Sequence, residues 1–527
     1  MTISRFLKAF LPQFYSRPLG PDKPPKAEVP NLSTTVVYLA LVLVTSYYVV
    51  PLLQGLYVSR LWRIPGPFLA RFTRLWEFVA VLRGNSHLEY IRLHNKYGPI
   101  VRLGPNRYSV KSPADVKSIY ELGSRFVKSD YYRPLLSEEP DLQHIFPLQN
   151  NEAHKDRRRK ISSLYTMSSM VAYEDAVDRM TQVCVQKIYE FTKNKALVDI
   201  PQWMQYYAFD VIGEITFNTN FGMMEKETDT SGLLPEARAT NDFLGLFGII
   251  PDTFSAIMKL GRLTQMFSKP LRMVEYITDQ VERNSTTGAR SGSGSQKYET
   301  FLEKVLRMQA EGRIRMTNVM DACLSNIGAG SDTTAITLSA ALYYLYRSPD
   351  KLKRLRDEID KKDAEGQISD PITFSEAQRL NYLQAVIKET LRMHPAVGSM
   401  LPRVVPSGGI QLSGHYFPKG TYKTEVGVNA WVLHYDDSIY GPDPKSFRPE
   451  RWIDQGKTSL MDSMMFAFGG GSRTCIGKNI SLLEITKLIP QLVRKFDLIF
   501  EHSDKPMDTV CTWFVYPSFK GYFRRRA

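Results

Sequence analysis

The chain has 527 residues, 43% of them hydrophobic, with 68 Lys and Arg against 54 Asp and Glu for a net charge of +14. Length alone is a prior for three domains, and the basic excess suits nucleic acid, an anionic membrane or an acidic protein. Basic residues are spread along the chain without a nucleic-acid module, and four scattered cysteines (Cys184, Cys323, Cys475 and Cys511), with no C-x-x-C pair, argue against a zinc ribbon or disulfide framework and for a reducing compartment.

Residues 1–30 form a polar, basic tail, and residues 31–59 carry no charge. About 20 apolar residues suffice to cross a bilayer as a helix, so 31–59 is predicted to be a transmembrane anchor. Tyr47, Tyr48 and Tyr57 suit the interfaces, while Pro51 would kink the helix. A signal peptide is excluded by the late start and length of the run; a buried core helix is the alternative. Residues 60–67 end in Ile64-Pro-Gly-Pro67, a stiff turn read as a hinge. Residues 68–527 are predicted to form one body, mostly helical in an α+β arrangement.

Within that body, His154-Lys-Asp-Arg-Arg-Arg-Lys160 is a basic helical run, with His154 one turn before Arg158. Ser285–Ser295 is Ser/Gly-rich and reads as a surface loop. Val319–Tyr346 is apolar almost all round and is expected to be a buried helix. It contains Ala329-Gly-Ser-Asp-Thr-Thr334. Asp332 is a carboxylate in apolar surroundings, costly to bury unless paired or used. Thr333 can turn its hydroxyl onto a preceding carbonyl and loosen the helix there. The bland alternative is a second helix capped at Ser331-Asp-Thr after a glycine break.

Lys351–Asp363 reads as a charged surface helix, and Tyr382–Arg392 as a helix on which Glu389 and Arg392 share a face. Arg403, in Leu401-Pro-Arg-Val-Val-Pro406, opens a run of short strands and glycine turns to Val428. Phe447-Arg-Pro-Glu-Arg-Trp452 follows, with Arg451 able to join the Glu389–Arg392 pair. Near the C-terminus, Phe468-Gly-Gly-Gly-Ser-Arg-Thr-Cys-Ile-Gly477 puts Cys475 in a glycine-rich turn just ahead of a helix. Orphan N–H groups at the helix start and the Arg473 charge are expected to favour its thiolate. A phosphate-binding loop is excluded, because no Gly-Lys-Ser/Thr follows.

The pattern F-x-x-G-x-R-x-C-x-G, matched by Phe468, Gly471, Arg473, Cys475 and Gly477, resembles the haem-binding signature of the cytochrome P-450 family. The likeness covers essentially the whole chain after the anchor. It implies the helix-rich fold of that family with small β-sheets, and haem b (iron protoporphyrin IX) ligated by Cys475, whose thiolate favours O–O cleavage. It further implies that Asp332 and Thr333 are the acid–alcohol pair that delivers protons during O2 activation. Arg158 and Arg403 would face the haem propionates, with His154 standing where the family has Trp. Glu389, Arg392 and Arg451 would form a structural cluster.

No flavin or nicotinamide domain is fused to the chain, so electrons from NADPH would come through a separate reductase, with cytochrome b5 as a further donor. Lys155, Arg157, Lys478 and Lys487 are candidates to steer that acidic partner. The resemblance implies a monooxygenase of apolar small molecules, anchored in the endoplasmic reticulum membrane with its body in the cytosol. Val397–Leu401, Leu324–Gly328 and Trp513–Tyr516 occupy the substrate-contacting places. Gly427-Val-Asn-Ala-Trp431 and Tyr440-Gly-Pro-Asp-Pro look most like filamentous-fungal enzymes that make terpenoids, polyketides or alkaloids. Two rivals are a haem-thiolate enzyme that rearranges or dehydrates without O2, and a membrane-anchored haem sensor or carrier.

Overall fold

The computed structural model describes residues 60–136, 144–254, 271–286, 298–418, 424–453 and 458–526. The segment 31–59, the tail before it and most of the Ser/Gly-rich loop lie outside the described residues; Ser285 itself belongs to the helix Arg272–Thr286. Among the described residues, no helix is long and apolar enough to cross a membrane.

The helices that build the site are α1 (Asn151–Ile161), α2 (Ile200–Phe217), α3 (Leu233–Phe247), α4 (Met316–Tyr346), α5 (Asn381–Met393) and α6 (Lys478–Lys495). At 31 residues, α4 is roughly 45 Å long and crosses the whole core. It runs unbroken through Gly328 and Gly330, so the capped second helix does not occur. Ser331 instead donates to the Ile327 carbonyl at 2.9 Å, satisfying its hydroxyl within the helix. Leu338, Ala341, Leu342 and Leu345 on α4 share one core with Val211, Ile212 and Ile215 on α2 and with Leu488 and Leu492 on α6. Burying a Leu or Ile contributes about 1.5–3 kcal/mol, so this three-helix contact is a principal source of stability.

A second layer is a mixed sheet of β1 (Ile100–Gly104), β2 (Arg107–Val110), β3 (Val127–Lys128), β4 (Arg403–Val404) and β5 (Glu425–Gly427), in the order β1-β2-β5-β4-β3. Its β3–β4 register sets Lys128 opposite Arg403. Residues 64–67 pack on this sheet: the Arg102 amide donates to the Pro65 carbonyl at 2.8 Å, and Ile64 is fully buried. A C-terminal hairpin, β6 (Asp508–Cys511) with β7 (Val515–Ser518), returns to the middle of α4.

Glu389 on α5 is buried and accepts from five donors. Arg392 Nε and Nη2 each lie 2.8 Å away, Arg451 Nε 2.9 Å, Trp452 Nε1 2.8 Å and the Arg448 amide 3.0 Å. Arg392 also donates to the carbonyls of His434 at 2.8 Å and Pro444 at 2.7 Å. His434 faces the Arg392 carbonyl through Nδ1 at 2.9 Å, and its Nε2 accepts the Phe466 amide at 2.8 Å. The tautomer is therefore Nδ1–H, and burial holds the pKa of His434 down to about 3.

Glu389→Ala strands two buried guanidinium groups and is expected to cost about 3–5 kcal/mol, read as a lower urea midpoint. Burial also holds His87 to about 3, and His94 and His394 to about 4. These four rings are neutral when folded and take up protons on unfolding below about pH 6.5. Stability is therefore expected to fall from pH 6.5 toward 4, by up to about 1.4 kcal/mol per pH unit for each ring. Urea denaturation at pH 7.5 and pH 5 checks this.

Candidate active site

The loop before α6 turns because two of its glycines take left-handed backbone, Gly469 at φ +71 and Gly471 at φ +61. A Cβ on Gly471 would stand 1.6 Å from the Tyr120 carbonyl oxygen, so no other residue fits. The Cys475 amide donates to the Phe468 carbonyl at 2.9 Å and closes the loop. Its sulfur receives the amides of Gly477 and Lys478, donors left free at the start of α6.

Arg473, the expected cation beside Cys475, turns away. It donates to Leu148 O at 2.7 Å, Gln149 O at 3.2 Å and Asn151 Oδ1 at 2.8 Å. Arg158 of α1 takes that place, donating to Thr474 O at 2.7 Å and acting on the thiol together with Lys478. These influences lower the thiol pKa, but burial outweighs them and the net shift is upward, against expectation. Cys475 nonetheless has an exposed surface. A thiol both desolvated and accessible faces an interior hollow. There a metal cation would take the proton's place, since coordination deprotonates a thiol outright.

The middle of α4, tied to α6, exposes a second surface that we take as the opposite wall of the hollow. Ala329 is exposed and Thr333 half-buried in a helix that is otherwise buried or half-buried through its middle. Thr333 donates to the Ala329 carbonyl at 2.9 Å. The neighbouring Thr334 shares a hydrogen bond with Ser481 of α6 at 2.8 Å, tying α4 to the helix that follows the cysteine loop. Asp332 is buried on another side of α4. It accepts from Gln205 Nε2 at 2.5 Å, Tyr516 Oη at 2.8 Å and Asn241 Nδ2 at 3.1 Å, while burial raises its pKa.

A positive rim completes the hollow. Arg403 donates to Pro402 O at 3.0 Å and Lys128 to Phe146 O. Lys128, Arg158, Arg403 and Arg473 act on His154, whose pKa burial and these cations hold to about 3. Burial, then Arg403 and Arg158, lowers Arg473 to about 10. Burial, Arg403 and Arg473 push Lys128 well below the usual lysine range. Among the described residues, the leading charge influences on His154 and Lys128 come from cations, and those on Arg473 from Arg403, Arg158 and the Tyr132 phenol. Buried cations with mainly carbonyl partners call for an anion, and a flat apolar group with two carboxylates on one edge meets that need. The residues fit haem: Cys475 for the metal, and Lys128, Arg158, Arg403 and Arg473 around the propionates. His154 is neutral and offers a hydrogen bond rather than a charge.

Beside the rim, where Lys128 lies over the rings of Tyr132 and Phe146 at 4.3 and 4.0 Å, Phe146, Phe247, Val397 and Leu401 are half-buried against Tyr131, Tyr132 and Trp513. Phe146 meets Tyr132 at 5.5 Å and Trp513 at 6.1 Å between ring centroids, both edge-on. Of the segments expected at the substrate, Val397 and Leu401 face this region, and Asn326 and Ile327 belong to the buried interior. Tyr516 is bound to Asp332. Sequence reasoning missed Lys128, Tyr132, Gln205 and Asn241; only strand register and helix packing bring them here. It also misplaced two steering residues. Lys487 is fully buried, 2.6 Å from Glu174 and 2.8 Å from Asp178, and Arg157 turns toward Asp321. Lys155 and Lys478 are exposed.

Residues 65–523 match the family profile of cytochrome P450. The chain is 41% identical over 488 residues to a pisatin demethylase of Fusarium vanettenii, covering 92% of this chain and 94% of that protein. It is 34% identical to the cytochrome P450 monooxygenase gsfF of Penicillium aethiopicum, over 85% of this chain and 90% of that one. A crystal structure of a cytochrome P450 superposes with a TM-score of 0.72 at 19% identity, over 88% of this chain and 98% of that one. The chain belongs to the cytochrome P450 family and is a monooxygenase of that family, similar to these fungal enzymes.

Cys475→Ala is expected to bind no thiolate-ligated haem, checked by the absorption spectrum. Replacing Lys128 by Met or Arg403 by Leu removes a charge-assisted hydrogen bond and should weaken haem retention about tenfold or more. The haem-to-protein ratio after gel filtration reads that change.

Proposed function

We propose that this monooxygenase removes a methyl group from an apolar aromatic methyl ether in fungal secondary metabolism, using O2 and NADPH electrons passed on by a separate reductase. The observation that carries the reading is the 41% identity, nearly end to end, with a pisatin demethylase. Phe146, half-buried and held edge-on by the buried rings of Tyr132 and Trp513, supports it, since a fixed aromatic ring suits a flat aromatic guest.

Haem b, held at Cys475, would supply O2 activation. The chain's own residues do the rest. Lys128, Arg158, Arg403 and Arg473 would hold the propionates, and Phe146, Phe247, Val397 and Leu401 would orient the substrate and keep water out. Thr333 stands at the hollow with a hydroxyl able to pass a proton, and Asp332 one residue earlier is the acid behind it. The balance is ArOCH3 + O2 + NADPH + H+ giving ArOH + HCHO + H2O + NADP+. One C–H bond of the methyl is oxidised, and the resulting hemiacetal loses formaldehyde.

The same proposal places the protein at the endoplasmic reticulum, anchored by residues 31–59 with its body in the cytosol. Phe68, Leu69, Phe72 and Leu75, all exposed just after that segment, suit a bilayer surface. Exposed Lys478, whose charge reaches Cys475, and exposed Lys155, on the helix that carries Arg158, suit an acidic reductase.

Microsomes carrying the chain and a reductase, given pisatin and related aromatic methyl ethers, should release formaldehyde in proportion to NADPH used, and none with Cys475→Ala. A product heavier by one oxygen without formaldehyde would replace demethylation by hydroxylation. A product formed without NADPH or O2 would replace it by rearrangement. Thr333→Ala should keep haem and substrate binding but lower product formation about 100-fold, read against peroxide release.

A further inference from the structure

Asp332 and Thr333 are neighbours on α4, yet their side chains leave it in different directions, as residues one apart on a helix must. Thr333 serves the hollow. Asp332 points to where α2, α3 and β7 converge, and each of these supplies one donor to the same carboxylate. Gln205 of α2 reaches Oδ1; Asn241 of α3 and Tyr516 of β7 share Oδ2, and Asn241 also donates to the Tyr516 hydroxyl at 3.3 Å.

We infer that Tyr516 is a positioning residue for Asp332: its phenol, backed by Asn241 and Gln205, fixes where the carboxylate lies and how readily it takes up a proton. This rests on the monooxygenase reading, in which Asp332 is the acid behind Thr333. Tyr516 is itself locked. The Arg238 guanidinium lies over its ring at 3.5 Å, and Arg238 pairs with Asp242 at 3.3 Å, which in turn accepts from Thr512.

The groups facing Asp332 set the sign of any titration. From α3 come the Arg238 charge and the neutral Asn241, from α2 the neutral Gln205, and from β7 Tyr516. Burial favours the protonated acid, while the three donors and Arg238 favour the carboxylate. The Tyr516 hydroxyl donates more strongly to the carboxylate than to the neutral acid, so removing it should let Asp332 hold its proton to higher pH. Because Asn241 lies on the helix that ends in Phe247, beside the aromatic wall, the acid is tied to the element that borders the substrate.

The test is an infrared titration of the full-length, haem-loaded, substrate-free enzyme. The protonated carboxyl band of Asp332 is assigned by its loss in Asp332→Asn. In Tyr516→Phe its midpoint is expected to rise by about one pH unit or more, the worth of a hydrogen bond to a charged group. An unmoved midpoint, even with lowered thermal stability, would reduce Tyr516 to a packing residue and overturn the inference. If Tyr516→Phe does not fold, Asn241→Ala withdraws a second donor, and the same rise or its absence decides. In turnover, Tyr516→Phe should lower product per NADPH severalfold, with the difference recovered as peroxide; unchanged coupling would count against the inference. Failure of the unaltered enzyme to turn over with NADPH would remove the monooxygenase reading and leave the infrared midpoint to decide positioning alone.

Discussion

A carboxylate with no access to water, Glu389, accepts hydrogen bonds from two guanidinium groups, an indole and a backbone amide. From Arg392 the linkage passes to the His434 carbonyl, and the His434 ring takes the amide of Phe466, two residues before the cysteine loop begins. The position of Cys475 is therefore fixed from the far side of α5 by a continuous run of hydrogen bonds. Well-packed apolar residues in place of the cluster would hold α5 about equally well, since buried ion pairs are weak sources of net stability. It would not carry direction. Charged, multidentate partners specify orientation, and the loop that presents the thiol needs orientation more than it needs binding energy.

The two walls of the hollow meet opposite demands. The α4 wall has to be dry and rigid, and its packing on α2 and α6 supplies that. Yet the helix leaves Ala329 and Thr333 uncovered at its centre, where a small side chain and a hydroxyl make room. The cysteine loop needs sharp turns, and Gly471 gives one in the only form the Tyr120 carbonyl allows. Between them the thiol is held neutral by burial, although the amides of Gly477 and Lys478 and the Arg158 charge are arranged for its ionised form. The site is built for a charge that arrives with the metal.

What could be read in the sequence was whatever lies within one element. The cysteine loop, the Glu389–Arg392 spacing and the apolar run of α4 are local patterns, and each stands where its pattern indicated. Lys128 carries no such mark: it reaches the rim because β3 pairs with β4 in a register that opposes it to Arg403. The partners of Asp332 lie 127, 91 and 184 residues away in sequence. Local reasoning could say that this acid needed partners, but not which. The errors have the same origin. Arg473 is two residues from Cys475 in sequence but is drawn to the carbonyls before α1, and Lys487 sits on a face of α6 that meets Glu174 and Asp178 instead of solvent.

The rim of Lys128, Arg158, Arg403 and Arg473 bears on the life of the protein before any substrate is met. Like charges crowded in a desolvated space raise the free energy of the folded chain, and a dianionic cofactor removes that repulsion on binding. Anything that binds the folded state and not the unfolded one shifts the folding equilibrium toward it. Haem is thus an assembly factor for this chain as much as a reagent. Where haem biosynthesis lags behind translation, newly made polypeptide would be turned over by quality control, and the cell's iron and porphyrin economy would set the abundance of the enzyme independently of its transcript.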